Sequence, residues 1–326
     1  MEYFNILYSI DNRYIDILLA SIYSLISNGG IKNLKIHIIT SNFEKNDYKK
    51  IELFLNQFNI EHYFYPLEEF NIRKHNIPDW KNSQIANSRL FFQEILKDSI
   101  DDISNLLYLD SDTVVVDDLS GIKEYQDGIF ASIDCGRLKG ECKDFGNLAQ
   151  YYNSGVLYIN VSDWLNNDYQ TKIIHNIEQS NLKLSLPDQD LLNIALSDKI
   201  KPLPLRYNIP PAAYIFNNFF AKGYFNKKVK YIGFDEVKDE KENPIILHSY
   251  GLSNIKPWDS SINPFHEEFM KYLLQINPVF KSDELNKLQR MVIKAPKLFY
   301  ATLLLRCYLP DDIEKNIKKF AKRLKK

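Results

Sequence analysis

Three short apolar runs separated by two segments of helical period fill the first 65 residues, and this alternation constrains the fold more than any other feature of the chain. Tyr3 to Ile10 (YFNILYSI) reads as a buried strand that stops at Asp11-Asn12-Arg13. From Tyr14 to Ser27 apolar residues at 15, 18, 19, 22, 25 and 26 have the spacing of one helix face, and Asn28-Gly29-Gly30 ends the run. Leu34 to Thr40 is a second strand, Lys45 to Phe58 a Lys/Glu-rich helix, and Glu61 to Tyr65 a third strand. A β-α-β-α-β order requires crossover connections. It predicts an α/β fold with a parallel sheet, whose ligands lie beyond the carboxyl ends of the strands. The first strand delivers Ser9 and Asp11 to that edge.

The stretch Asn105 to Val116 (NLLYLDSDTVVV) places Asp110, Ser111 and Asp112 at the end of an apolar run, followed by a β-branched one. Read as one extended chain, it directs both carboxylates to the same side, with Ser111 opposite. Two carboxylates so placed repel each other unless a cation lies between them, and hard oxygen ligands fit Mg²⁺ or Mn²⁺ carrying phosphates. The spacing alone carries little. Asp occurs 25 times in 326 residues, so about two Asp-x-Asp pairs arise by chance, and two are present, the second being Asp188/Asp190.

Further along, Phe70 to Asn87 reads as a loop and Ser88 to Leu96 as a helix with Arg89 in its first turn. Gly128 to Ile133 is a strand ending at Asp134, and Asn153 to Asn160 is another, opened by Asn153 and Gly155. Asp163 to Ser180 looks helical, and Pro187 to Ala195 begins a helix with Asp188, Gln189 and Asp190 in its first turn. Arg206 to Phe225, rich in aromatics and proline, shows no clear period. Pro244 to Ser249 is a strand that delivers His248, followed by Gly251 and Lys256-Pro257-Trp258. Asp110, Asp112 and His248 together offer two oxygens and an imidazole nitrogen, a set suited to Mn²⁺ with open positions. Lys256 can neutralise a diphosphate as a point charge. Arg89, Asp134, Asn153, Asp188 and Gln189 can read sugar hydroxyls. Taken one at a time, each fits a structural role equally well: a satisfied histidine, a helix cap, a turn.

Cys135, Cys142 and Cys307 form no disulfide framework or zinc pattern, so a reduced, cytoplasmic setting is expected. No signal peptide is legible at the N-terminus, and no apolar stretch approaches the roughly 20 residues needed to span a bilayer. Residues 281–326 carry 13 Lys and Arg against 5 Asp and Glu, whereas the rest carries 28 against 37. The tail interleaves apolar and basic residues, and Ile313, Ile317, Phe320 and Leu324 share one helical face. The expectation is a domain over 1–280 and a basic, partly apolar helical segment over 281–326. That segment is suited to an anionic membrane surface, and packing on the body is its alternative. No nucleic-acid partner is expected.

In sequence order, Ser9-Ile-Asp11, Ser88-Arg-Leu90, Leu107-Tyr-Leu-Asp-Ser-Asp112, Ala131-Ser-Ile-Asp134, Tyr152-Asn-Ser-Gly-Val156, Asp188-Gln-Asp-Leu-Leu-Asn193 and His248 through Trp258 resemble glycosyltransferase family 8, the retaining sugar transferases. The resemblance spans about Asn5 to Trp258. It implies a GT-A fold, a mixed, mainly parallel sheet flanked by helices. It also implies a UDP-sugar donor, Mn²⁺ or Mg²⁺ on Asp110, Asp112 and His248, and a hexosyltransferase acting on a glycan or glycolipid of the cell surface. Ser9 and Asp11 would then contact uridine, and Gly251 and Lys256 the diphosphate. Arg89, Asp134, Asn153, Asp188 and Gln189 would surround the sugar, with Gln189 near the anomeric carbon. The basic tail would attach the enzyme to the inner face of the cytoplasmic membrane. One departure stands out: His248 and Lys256 lie eight positions apart, two more than is usual in the family.

Two other classes remain at this point. A metal-dependent sugar-nucleotidyltransferase wants a Gly-rich phosphate loop near the N-terminus, and Tyr8-Ser-Ile-Asp-Asn-Arg13 has no glycine. An inactive carbohydrate-binding relative would share the fold without the activity.

Overall fold

The computed structural model describes residues 3–80, 83–134, 148, 150–179, 184–215, 234–250, 255–282, 285 and 287–295. Gly251, the three cysteines and most of the basic tail lie outside the described residues.

The opening alternation folds as its pattern predicts. β1 (Phe4–Asp11), α1 (Ile15–Asn28), β2 (Leu34–Ser41), α2 (Lys45–Gln57) and β3 (Glu61–Pro66) follow one another, and β1 pairs in parallel with β2 and β2 with β3. A capping box between Glu44 and Asp47 starts α2. Gly30, at φ +64, turns the chain after α1, and a Cβ there would meet the Asp118 carboxylate.

Beyond β3 come β4 (Asn105–Leu109), β5 (Thr113–Val115), β6 (Ile129–Ile133), β7 (Tyr152–Asn160), β8 (Ile200–Pro202) and β9 (Ile246–His248). Seven of them form one sheet in the order β3-β2-β1-β4-β7-β6-β8, while β5 and β9 pair separately. β1–β4 and β6–β8 are parallel pairs, whereas β7 is antiparallel to both β4 and β6. The sheet is therefore mixed and mainly parallel. Because β7 runs against its neighbours, its first residues lie at the same edge as the carboxyl ends of β1, β4 and β6. That is the edge where the candidate residues were expected.

Each face of the sheet buries its own apolar layer. In β4, Leu106 and Tyr108 join the cluster containing Phe91, Phe92, Trp164 and Leu191, while Leu107 and Leu109 join the one containing α1 and α2. Period-2 alternation along a doubly covered strand gives this division, and full burial of each Leu contributes about 1.5–3 kcal/mol. A smaller cluster packs Ile17, Ala20 and Val114 against Phe269, Tyr272 and Leu273 of α9 (His266–Ile276).

The stretch Asn105 to Val116 is not one strand. β4 stops at Leu109, and Asp110–Asp112 form a tight turn closed by Thr113, whose backbone N–H and Oγ1 both donate to the Asp110 carbonyl, at 3.2 and 2.8 Å. The chain then leaves for the second sheet, pairing Thr113 with His248. The turn, not strand alternation, brings the two aspartates together.

Other boundaries shift for local reasons. The expected helix at Ser88 is a 3-10 segment (Ile85–Phe91) running into a short helix α3 (Phe92–Ile95), so Arg89 lies within 3-10 geometry. The expected helix over Asp163 to Ser180 breaks into α4 (Val161–Asn166) and α5 (Tyr169–Gln179) at Asp168, which has φ 51. Pro187 opens α6 (Pro187–Leu196). The aperiodic segment Arg206 to Phe225, of which 216–225 lie outside the described residues, overlaps a 3-10 turn (Leu205–Tyr207) and holds an isolated bridge from Ile209 to Leu247 and α7 (Ala212–Ile215). α8 (Phe234–Glu242) precedes β9, and α10 (Lys287–Lys294) lies in the segment 281–326, while the helical face expected at Ile313, Ile317, Phe320 and Leu324 is outside the described residues.

Candidate active site

Asp110, Asp112 and His248 meet where β4 ends and β9 ends. Their ligand-capable atoms all lie within 4.8 Å of one another. His248 Nε2 is 3.5 Å from Asp110 Oδ2 and 3.3 Å from Asp112 Oδ1. The imidazole is buried, and its Nδ1 faces Asn208 Oδ1 at 2.8 Å. Ser111 is partly exposed in the turn between the aspartates.

Two oxygens and one imidazole nitrogen fit a divalent cation with open positions. Gly155 gives a second indication. A Cβ built on it would lie 2.1 Å from His248 Cε1 and 2.5 Å from Asp110 Oδ2, so only a glycine lets β7 pass this close to the cluster. Asp110 N–H donates to the Gly155 carbonyl at 2.8 Å, the last rung between β4 and β7.

The charges around the cluster are paired. Arg89 Nη2 is 2.8 Å from Asp110 Oδ1 and its Nε 3.2 Å from Asp188 Oδ2. The guanidinium also lies over the Tyr108 ring, 4.5 Å from its centroid, and Tyr108 Oη donates to Asp110 Oδ1 at 2.8 Å. Lys256 Nζ pairs with Asp112 Oδ2 and donates to the Ser249 carbonyl at 2.8 Å. Burial works against Asp110, but Arg89 and His248 hold its carboxyl far below the usual range. Burial likewise opposes ionisation of Asp112, while Lys256 and His248 bring it down to about 2. For His248, burial favours the neutral ring, and the two carboxylates outweigh it and raise the pKa. Burial raises Asp188, with Arg89 opposing.

A second group of polar side chains adjoins the first. Gln189 Nε2 donates to Asp134 Oδ2 at 2.6 Å, and Gln189 Oε1 accepts from Asn153 Nδ2 at 3.0 Å and from Ser154 N–H at 3.1 Å. Ser154 Oγ donates to Asp188 Oδ2 at 2.9 Å. Asn193 clamps α6 to β7, accepting from Tyr152 N–H at 2.7 Å and donating to the Tyr152 carbonyl at 2.8 Å.

At the end of β1, Ser9 Oγ accepts from Ser88 Oγ at 3.0 Å. Asp11 is engaged by Arg13, accepting from its backbone N–H at 3.0 Å, Nε at 3.1 Å and Nη2 at 2.6 Å.

The structure therefore brings together Arg89, Asp110, Asp112, Asn153, Asp188, Gln189, Asp134, His248 and Lys256. Asp190 separates from its neighbour: wholly buried, it accepts from Tyr151 Oη at 2.6 Å and from the N–H groups of Ser185 and Leu186 at 2.8 and 3.0 Å. That bonding fixes the start of α6 and does not fit sugar contact. Tyr108 and Asn208 were missed. Tyr108 reads as a core aromatic, and Asn208 lies in the aperiodic segment, its one signal being an amide between Tyr207 and Ile209.

Comparison with known proteins bears on the fold and the family. General stress protein A of Bacillus subtilis is 24% identical over 284 residues, covering 83% of this chain and 93% of that protein. A lipopolysaccharide 1,2-glucosyltransferase of Escherichia coli is 26% identical over 288 residues, covering 85% of this chain and 79% of its own. The crystal structure of the galactosyltransferase LgtC, in complex with donor and acceptor sugar analogs, superposes with a TM-score of 0.66 at 20% identity, over 88% of this chain and 99% of that one. The fold is thus the GT-A fold of glycosyltransferases. Residues 5–262 match the profile of Glycosyl transferase family 8, and the chain belongs to that family of glycosyltransferases.

Proposed function

We propose that the protein is a retaining hexosyltransferase that moves galactose or glucose from a UDP-sugar to a glycan or glycolipid acceptor of the cell surface, with Mn²⁺ on Asp110, Asp112 and His248. Mg²⁺ is the other hard cation this donor set accommodates. The observation that carries the reading is the metal-type cluster, ligand atoms within 4.8 Å, adjoining the buried group of Asp188, Gln189, Asn153 and Asp134 at one sheet edge. A cation bound there supplies the Lewis-acid stabilisation of the negative charge on departing UDP.

The remaining work falls to side chains. Ser9 and Asp11 contact uridine at the end of β1, and Lys256, helped by Gly251, holds the diphosphate. Asp188, Asp134 and Asn153 take sugar hydroxyls, and Arg89 orients Asp110 and Asp188. Gln189 lies near the anomeric carbon with both ends of its amide already bonded, to Asp134 and to Asn153 and Ser154. An amide held this way is a poor nucleophile. The acceptor hydroxyl then attacks on the face from which UDP leaves: the new glycosidic C–O bond forms as the sugar–phosphate bond breaks, and the hydroxyl proton passes to the leaving diphosphate.

Incubation with Mn²⁺ and each of a panel of UDP-hexoses, following UDP release, tests the reading and identifies the donor. Failure to release UDP from any of them would sink it. Gln189→Ala should slow turnover yet leave some activity, and a trapped sugar ester on Asp134 or Asp188 would argue for a covalent route instead.

For location, we place the enzyme at the inner face of the cytoplasmic membrane, held by the basic segment 281–326 on anionic lipid. Among the described residues no helix is long and apolar enough to cross a membrane. A chain truncated after Phe280 that still partitions to membranes like the full chain would remove the tail from this role.

A further inference from the structure

Buried side chains link the two halves of the site in one hydrogen-bonded line. From Asp134 the line runs through Gln189 to Asn153, as above. Asn153 Oδ1 then accepts from Asn208 Nδ2 at 2.9 Å, and Asn208 Oδ1 lies 2.8 Å from His248 Nδ1. Asn208 has no exposed surface, and the other four members are buried with it.

The direction of this line is fixed by the backbone. Ser154 N–H points at Gln189 Oε1 (3.1 Å) and Gly155 N–H at Asn153 Oδ1 (3.0 Å). A backbone N–H only donates, so both of those side-chain atoms are oxygens. The Asn208 atom facing Asn153 Oδ1 must then be its NH₂ group, which leaves Asn208 Oδ1 toward the imidazole. That oxygen accepts only, so His248 Nδ1 carries a hydrogen, and Nε2 is the ring nitrogen turned toward Asp110 and Asp112, the one that can ligate a cation lying between them.

The placement of Asn208 is likewise set by pairing. His248 N–H donates to the Ile209 carbonyl and Ile209 N–H to the Ile246 carbonyl, both at 2.9 Å, so β9 and residue 209 are locked in register.

We propose that Asn208 is a positioning residue of the site. It imposes the Nδ1–H tautomer on His248, holding Nε2 ready to ligate a divalent cation, and joins that ligand through Asn153 and Gln189 to the sugar-side carboxylate Asp134. The proposal rests on reading Asp110, Asp112 and His248 as the metal site. A second partner that fixes a ligating imidazole is worth about 10–100-fold in metal affinity where it has been removed. Here the partner must donate on one side and accept on the other. An amide does both, a carboxylate only accepts, and a Leu of similar size does neither.

The test uses the full chain with Asn208→Leu and Asn208→Asp. Mn²⁺ affinity is measured by titration calorimetry. The histidine tautomer is read from ¹⁵N-histidine NMR of the metal-free protein at alkaline pH, where the ring is neutral. Wild type should show His248 as Nδ1–H. Asn208→Leu should lose that form and about 10–100-fold in Mn²⁺ affinity. Asn208→Asp should keep both, because its carboxylate still accepts from Nδ1–H, while turnover falls because Asn153 has lost its donor.

A folded Asn208→Leu protein with the wild-type tautomer and affinity would overturn the proposal. So would an Asn208→Asp protein that loses the Nδ1–H form, and this second variant decides the matter if the first does not fold. A wild type that binds no Mn²⁺ defeats the metal reading instead; the tautomer then judges Asn208 alone, and an Nε2–H ring in wild type would overturn its role.

Discussion

Arg89 Nη2 lies 2.8 Å from Asp110 Oδ1, and this contact is half of a bridge that the same guanidinium completes to Asp188, 3.2 Å from Nε. Arg89 and Asp188 are both buried. Removing the cation strands charge in the interior, so Arg89→Met should cost about 3–5 kcal/mol of stability, the usual penalty for breaking a buried pair from one side. Arg89→Lys should recover little of it. A single ammonium cannot face both carboxylates while also meeting the Ala86 and Ser154 carbonyls, each of which Arg89 reaches at 2.8 Å. Urea unfolding measures the loss, and a value under about 1 kcal/mol would put the bridge in the class of exposed pairs.

Gly155→Ala should disable the cluster without unfolding the sheet. The added methyl carbon would stand 2.1 Å from His248 Cε1 and 2.5 Å from Asp110 Oδ2, so the imidazole must swing away. The β4–β7 ladder does not depend on that side chain. The expected outcome is native far-UV circular dichroism with Mn²⁺ affinity reduced at least about tenfold, the lower end of what disturbing a metal ligand's support costs. Wild-type Mn²⁺ binding by the variant would separate His248 from the metal site.

How far the sequence foretold these contacts depended on whether the cause was local. β1, α1 and β2 follow from apolar spacing within one segment, and their bounds fall within a residue or two of the pattern. The break at Asp110–Asp112 does not, because β4 ends where β7 ceases to pair with it and β5 begins where β9 starts to, and both partners are remote in the chain. Asp188 and Asp190 share a spacing with Asp110 and Asp112, but residues two apart on a helix point about 200° away from each other. One therefore meets Arg89 and the other turns inward to Tyr151. Asn208 was illegible for the same reason as the strand break: its meaning comes from the register of β9.

On the proposed reading, a metal would compete with Lys256 for Asp112. The ammonium pairs with Asp112 Oδ2 and helps hold that carboxyl at about 2. If both proposed roles hold, Lys256→Met removes a competitor for the cation and a point charge for the diphosphate. Binding of Mn²⁺ alone should then be as tight as in wild type or tighter, whereas UDP in the presence of Mn²⁺ should bind about tenfold more weakly, the low end for losing a charged hydrogen bond. Calorimetric titrations of the two ligands distinguish the effects. Parallel losses in both would mean that Lys256 supports the fold of the site and does not touch diphosphate.

A pH dependence with a different origin is built into β2. His37 has no exposed surface, its Nε2 is 3.1 Å from Asn5 Oδ1 and its Nδ1 2.9 Å from Tyr65 Oη, and the rings of Tyr63 and Tyr65 stack on it. Burial, and then the charge of Lys35, push the imidazole down from 6.5 to about 4. The unfolded chain takes up a proton near 6.5 while the folded chain resists until about 4, so between these values the unfolded state binds more protons. Stability is therefore fully present above 6.5 and is lost as pH falls through this window, by up to about 1.4 kcal/mol per pH unit and about 3 kcal/mol in all. His37→Gln keeps groups able to meet Asn5 and Tyr65 but removes the titration. The difference between the wild-type and variant stability curves should slope across the window and flatten above it, and superimposable slopes would show that His37 takes up its proton as readily in the folded protein as in the unfolded one.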